Sequence, residues 1–209
     1  MNRAALPPNS FEALRRFIRR APAAAERCEL CSTALAAGHQ HLLEPDRRKL
    51  VCACESCAIL FTNEGQTKYK RVPRRIRVLN EFRLTDAEWD GLMMPINMAF
   101  FFLSSPQGRV VALYPSPAGA TESLLEFDTW DAIVNENPIL LQMEPDVEAL
   151  LVNRIGHARG FSQPEYFIVP IDECFRLTGL IRSRWQGLSG GTEVWREIGQ
   201  FFTGLREHA

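Results

Sequence analysis

The chain has 209 residues, of which 46% are apolar and 23% are charged, and its formal net charge is −1. Disordered and fibrous chains have compositions far from this one, so both classes of protein are excluded. The longest apolar run, at residues 98–103, is much shorter than the ~18 residues of a membrane-spanning helix, so we expect no membrane span.

The first 25 residues predict a basic amphipathic helix followed by a linker. Residues 1–10 lack the apolar core of a signal peptide, so we expect a cytoplasmic protein. Up to residue 83 the chain has 16 Lys and Arg against 8 Asp and Glu, whereas the remainder has 8 against 17. Such a basic half can bind nucleic acid, an acidic protein surface or the acidic half of the same chain. The candidate contact residues are Arg15, Arg16, Arg19, Arg74 and Arg75.

Two CxxC motifs lie within residues 26–66, which we predict to be a metal-binding module. They are separated by 22 residues, a spacing typical of a small zinc site with a pair of thiolates on each side. We expect each pair to lie in a tight hairpin turn, so that both pairs converge on one ion. Five of the six cysteines lie in this segment, which favours metal ligation over a set of disulfides. The predicted ligands are Cys28, Cys31, Cys54 and Cys57.

Three other side chains of the module are possible additional ligands. His39 and His41 are two residues apart on a predicted strand and therefore point to the same side, and Cys52 competes with Cys54. Three alternatives stay open: a closed four-sulfur zinc site, a site with a histidine ligand or a second metal bound by these residues, and iron in a four-thiolate site or an iron–sulfur cluster. A solvent-facing histidine pair, or a histidine that donates to a cysteine sulfur, is the simpler interpretation.

Residues 67–209 predict a mixed domain of strands and helices. Residues 69–79 alternate as a strand that Pro73 restricts to an edge or bulge. A capping box at residues 85–88 opens a short helix, and residues 96–114 predict a hairpin. The small, turn-rich residues 115–123 predict a loop.

The rest of this domain predicts further helices and strands without a regular βαβ repeat. The overall prediction is therefore an α+β fold, with a small zinc-ribbon or treble-clef-like CxxC…CxxC module followed by a mixed α+β domain. The predicted strands are residues 124–127 and 166–169, and the predicted helices are residues 128–135, 144–155, 172–185 and 192–206.

The sequence contains no recognisable active site. Phosphate-binding, dinucleotide, HExxH and GxSxG motifs are missing. Paired CxxC motifs also occur in HNH-type nucleases, but no histidine lies between Cys57 and His157, so the metal ligand and general base of such an enzyme are missing. Cys174 lies in an apolar segment and predicts a buried, inert thiol. We expect a non-catalytic protein.

Five stretches of the chain carry a family resemblance, at residues 27–31, 39–43, 52–57, 114–123 and 170–182. They resemble an uncharacterised bacterial family, a domain of unknown function, whose genes often lie beside those of uptake NiFe hydrogenases. The similarity runs from about Arg27 to the C-terminus. It implies an accessory role in building, loading or protecting a hydrogenase, with hydrogenase subunits or maturation proteins as partners. The residues alone leave a zinc-ribbon nucleic-acid-binding protein as the alternative.

Overall fold

The computed structural model of the chain describes residues 26–62, 68–123, 127–157, 160 and 162–209. The strands of these residues are β1 Gln40–Glu44, β2 Lys49–Ala53, β3 Lys70–Arg71, β4 Arg77–Val78, β5 Met98–Ser104, β6 Arg109–Ser116, β7 Gly119–Ser123, β8 Glu148–Asn153 and β9 Glu165–Pro170. The α-helices are α1 Glu55–Leu60, α2 Asp86–Gly91, α3 Phe127–Glu136, α4 Ile171–Arg184 and α5 Gly191–Glu207. Short 3-10 helices occupy Pro45–Arg47 and Pro138–Gln142. The mixture of helix and sheet agrees with the predicted class.

The smaller sheet has the strand order β2-β1-β3 and is built on the β1–β2 hairpin. Side chains alternate between the two faces of a strand, so this hairpin has two different surfaces. Leu42 and Val51 pack in a small core with two of the CxxC cysteines. Leu43 on the opposite face belongs to the main core, and Leu50 packs against that core. The hairpin therefore separates the CxxC region from the rest of the molecule.

The larger sheet has the order β4-β9-β8-β5-β6-β7, and all its neighbouring strands are antiparallel. Helices α4 and α5 cover one face, where their side chains pack with alternate residues of the strands such as Phe100 and Leu151. Residues of α2 and α3, including Trp89 and Trp130, cover the other face. Because β5 and β8 are buried on both sides, their sequences are nearly continuous apolar runs.

Several predicted elements are confirmed. The capping box is present at α2: Glu88 N–H donates to Thr85 Oγ1 over 3.2 Å, and Thr85 N–H donates to a Glu88 carboxylate oxygen over 2.7 Å. The hairpin of β5 and β6, the strand β9 and the helices α3, α4 and α5 also lie where the sequence predicts them.

Other predictions are wrong. The segment 144–155, predicted as a helix, contains the central strand β8. The predicted loop at 115–123 instead completes β6 and forms β7, which pairs along β6 after a two-residue turn. The predicted strand at 69–79 is interrupted around Pro73, which has no N–H to donate to a ladder, and only β3 and β4 remain of it.

The predicted N-terminal helix, with Arg15, Arg16 and Arg19, lies outside the described residues, and so does the predicted strand at 124–127 except for Phe127, which begins α3. In the described parts of the chain, no helix has the combined length and apolar character required to cross a bilayer.

Candidate metal centre

The first cysteine pair lies in a tight turn that backbone hydrogen bonds close. Cys28 N–H donates to the Thr33 carbonyl oxygen, and Ser32 N–H donates to the Cys28 carbonyl oxygen, each over 2.8 Å. Ser32 has a left-handed backbone, with φ of 64°, which reverses the chain directly after Cys31. The turn therefore places Cys28 and Cys31 side by side, as the CxxC spacing predicts.

The second cysteine pair lies at the beginning of helix α1. Cys54 is the N-cap residue of this helix, and Cys57 follows within its first turn. Residues three apart are neighbours on a helix surface, so one helical turn brings the two sulfurs together. The expected hairpin turn is therefore wrong for this pair, although the expected convergence of the two side chains does not depend on it.

Glu29, between the first two cysteines, connects the two pairs. Its N–H donates to the Cys52 carbonyl oxygen, and its carboxylate accepts from Cys52 N–H, both over 2.9 Å. These two bonds fix the first turn to the end of β2, directly before Cys54. No sequence pattern indicates this role, because the two residues that it joins are 23 positions apart in the sequence.

The four predicted cysteines form one cluster, in which their sulfur atoms lie within 4.8 Å of one another. The Sγ atoms of Cys31 and Cys54 are 3.7 Å apart. Zinc–sulfur bonds of ~2.3 Å at tetrahedral angles require sulfurs about 3.8 Å apart, whereas a disulfide bond is only ~2.05 Å long. All these cysteines are free thiols. The donor set therefore fits one tetrahedral ion bound by four thiolates.

The four thiols differ in their surroundings and in their pKa values. The Thr33 hydroxyl, 3.4 Å from Cys31 Sγ, and the Thr33 N–H lower the pKa of Cys31 to about 6. Burial raises the pKa of Cys57 to about 12, and hydrogen bonds to the neighbouring sulfurs add to this increase. Burial also acts on Cys28, but backbone N–H groups outweigh it and its pKa lies below the usual value. A metal ion must therefore displace a proton from Cys57, so we expect its affinity to fall in acid.

The other three candidate ligands form a separate cluster. One ring nitrogen each of His39 and His41 and the sulfur of Cys52 lie within 4.8 Å of one another. His41 and Cys52 are directly opposite each other in the β1–β2 ladder. His41 Nδ1 lies 2.6 Å from a carboxylate oxygen of Asp172 on α4, and this contact raises the pKa of His41 despite its partial burial. Burial raises the pKa of Cys52.

The other candidate residues that the structure describes, Arg74, Arg75 and Cys174, belong to neither cluster. Arg75 donates to the buried carboxylate of Glu148 over 2.8 Å, and Arg74 donates to the Gly38 carbonyl oxygen over 2.6 Å. Arg74 and Arg75, two of the five candidate nucleic-acid contacts, thus bind groups of the chain itself, and nucleic-acid binding stays a prediction. Cys174 is completely buried in the main core, which raises its pKa well above the usual value.

Comparison with known proteins identifies the family. A family profile described as "Family of unknown function (DUF5947)" matches residues 27–209. The chain belongs to this family. The matched range agrees with the extent of the resemblance carried by the sequence, and both side-chain clusters of this chain lie inside it. No curated protein and no solved structure matches the chain.

Proposed function

We propose that the protein is a non-catalytic, metal-binding accessory protein whose four-cysteine cluster holds a zinc ion. The observation that carries this proposal is the convergence of four sulfurs within 4.8 Å. Four thiolates complete a tetrahedron and leave no position for a substrate, which is typical of structural zinc sites. Iron is the alternative metal, because it also accepts four thiolates. The ion would order the first turn, the β1–β2 hairpin and α1 as one unit.

The order of elements supports the treble-clef-like form of this module. A cysteine-bearing turn is followed by a hairpin and then by a helix that carries the second pair in its first turn. In a zinc ribbon, both pairs would instead come from hairpin turns. The ligands of the proposed ion thus connect the start of the module to the helix at its end.

The end of helix α1 supports a role in binding another protein. Ile59, Leu60 and Phe61 are 51%, 66% and 41% exposed, and they are consecutive in the sequence, beginning two residues after Cys57. Contiguous exposed apolar side chains commonly mark protein contact surfaces. We propose a hydrogenase subunit or maturation protein as the partner, on the basis of the family resemblance. The metal would act by fixing the helix that presents this surface.

Metal analysis of cysteine variants tests the zinc site. The full chain purified without added ions should contain zinc and be colourless, whereas an iron centre would absorb visible light. Cys28→Ser and Cys57→Ser should each lose the ion bound by the four thiolates. Cys174→Ser is the matched control and should retain it, because this thiol lies in the main core. Equal loss of metal from all three variants would contradict the ligand assignment.

Co-purification tests the proposed partner. The tagged full chain, expressed in cells that make a NiFe hydrogenase, should retain hydrogenase subunits or maturation proteins. Leu60→Asp should abolish this retention without releasing metal. Leu188→Asp is the control, because Leu188 is fully exposed but lies between α4 and α5.

Deletion of the gene should reduce hydrogenase activity without reducing subunit levels. Failure of the wild-type chain to retain any hydrogenase protein would refute the partner assignment.

A further inference from the structure

The second cluster lies on the opposite face of the β1–β2 hairpin from the four cysteines. Leu42 and Val51 point towards the four-cysteine core, so their neighbours His41 and Cys52 point the other way. His39 is two residues from His41 and shares its side of the chain. The three side chains therefore lie between the hairpin and helix α4, where His41 meets Asp172.

Both histidines use the same ring nitrogen for a hydrogen bond to the protein. His39 Nδ1 lies 3.0 Å from the Ala36 carbonyl oxygen, and His41 Nδ1 lies 2.6 Å from the Asp172 carboxylate. Each acceptor has only lone pairs to offer, so each Nδ1 carries the proton. In a neutral ring this leaves a lone pair on Nε2. A hydrogen bond from one ring nitrogen to a carbonyl or carboxylate is the usual arrangement of metal-bound histidine.

The Nε2 atom of His39 is buried and has no hydrogen-bond partner among the residues that the structure describes. Only 7% of the His39 side chain is exposed. A buried polar atom without a partner costs about 1–3 kcal/mol, and such atoms in native structures commonly indicate an unseen ion or water. The cluster thus contains an unused, inaccessible electron pair beside a second imidazole and a thiol.

We propose that His39, His41 and Cys52 form a second metal site, which binds a divalent transition-metal ion such as Zn²⁺ or Co²⁺. The donors are Nε2 of each histidine and Sγ of Cys52, whose proton is released to solvent when the metal–sulfur bond forms. Imidazole and thiolate together suit these ions. Asp172 is a positioning residue, because it holds the ring of His41 through Nδ1. Three protein ligands leave a fourth position for water or an external ligand, unlike the closed four-cysteine site.

Titration of the metal-free full chain with Co²⁺, followed by its absorption spectrum, tests this site directly. The wild-type chain should bind two equivalents, one with the intense charge-transfer bands of four thiolates and one with the weaker band of a single thiolate. His41→Ala and Cys52→Ala should each bind only the four-thiolate equivalent. Cys28→Ser should retain the single-thiolate equivalent. His157→Ala is the control and should bind two equivalents.

The outcomes separate this inference from the proposed function, on which it does not depend. A single wild-type equivalent that Cys28→Ser loses and His41→Ala retains overturns the second site and leaves the first intact. A single equivalent that His41→Ala loses and Cys28→Ser retains supports the second site and refutes the first. The wild-type spectrum gives the same answer without any variant, because a single equivalent bound by four thiolates absorbs more strongly than one bound by a single thiolate.

The role of Asp172 has its own measurement. Asp172→Ala should weaken the second equivalent about 10–100-fold and leave the affinity of the first unchanged. Asp172→Asn retains an acceptor oxygen for His41 Nδ1 and should lose less affinity. A general structural defect would weaken both equivalents, and an unchanged second affinity in Asp172→Ala would overturn the positioning role.

Discussion

At the scale of single residues, Glu148 places a charged side chain in the interior of the fold. Its side chain is fully buried at the start of the central strand β8. It accepts hydrogen bonds from Arg75 over 2.8 Å and from the Glu144 N–H over 2.8 Å, and Arg77 lies 3.6 Å away. A buried charge is tolerated only when it is paired and hydrogen-bonded. Glu148 therefore attaches the segment after the small sheet to the middle of the large sheet.

The environment of Glu148 makes stability depend on pH. Burial acts to raise its pKa, but the Arg75 guanidinium and the Glu144 N–H outweigh burial, and the pKa lies below the usual value of 4.5. The folded state thus favours the ionised carboxylate more than the unfolded chain does. The resulting stabilisation is complete above about pH 4.5 and is lost as the pH falls through the lower, folded-state pKa.

Glu148→Gln should reduce the free energy of unfolding by about 2 kcal/mol at pH 7, less than for a fully buried pair because the Arg75 side chain is half-exposed. The difference from the wild type should shrink as the pH falls below about 4.5. Urea unfolding at a series of pH values, with metal content held constant, measures this difference in the free energy of unfolding. Glu136→Gln, at an exposed site, should change little. A difference that persisted unchanged at about pH 3 would contradict the role of ionisation.

At the scale of elements, the sequence predicts the helices, hairpins and turns that are fixed by residues close together in the chain. The capping box of α2 needs only Thr85 and Glu88, and both of its hydrogen bonds are present. The β5–β6 hairpin needs two apolar runs and the turn between them, which residues 105–108 supply. The CxxC pairs are equally local, since the spacing within each pair fixes the proximity of two sulfurs.

Strand β8 departs from the predicted helix because it is buried on both faces. In Glu148–Asn153, consecutive apolar residues satisfy the helical pattern and the strand pattern equally well. The decision between them comes from pairing with β5 and β9, which are distant in sequence. The error at β7 is the opposite one, since a predicted loop is a strand. Of its residues only Thr121 favours strands, and the segment pairs because β6 is adjacent.

The candidate site shows the same division between local and distant information. Spacing in the sequence is enough to name the four cysteines and the three possible additional ligands as candidates, and the structure brings each set together within 4.8 Å. Asp172 could not be named in this way, because it lies 131 positions after His41 in the sequence and only the docking of α4 against the hairpin brings the two together. A lone aspartate at a helix start has a sufficient local explanation, since negative charge is favourable there.

At the scale of the whole molecule, the small sheet is held between two different cores. The four-cysteine side has only six buried members in the described part of the chain, and two of them are cysteines. On the other side, Leu43 packs into the main core. Lys70 forms an ion pair with Asp146 over 2.6 Å, and Arg48 forms one with Glu122 over 2.9 Å. So small a core cannot order the surrounding turns without a further constraint, which the proposed metal provides.

Removal of metal should therefore loosen the molecule locally. After chelation, amide hydrogen exchange should accelerate by about tenfold or more across residues 26–35 and α1, where the proposed ligands and their backbone hydrogen bonds lie. Peptides from β5 and β8 should exchange as before, because their core contains no predicted ligand. Exchange measured by mass spectrometry, with zinc added back as the control, tests this. A uniform acceleration through both sheets would show instead that the metal supports the entire fold.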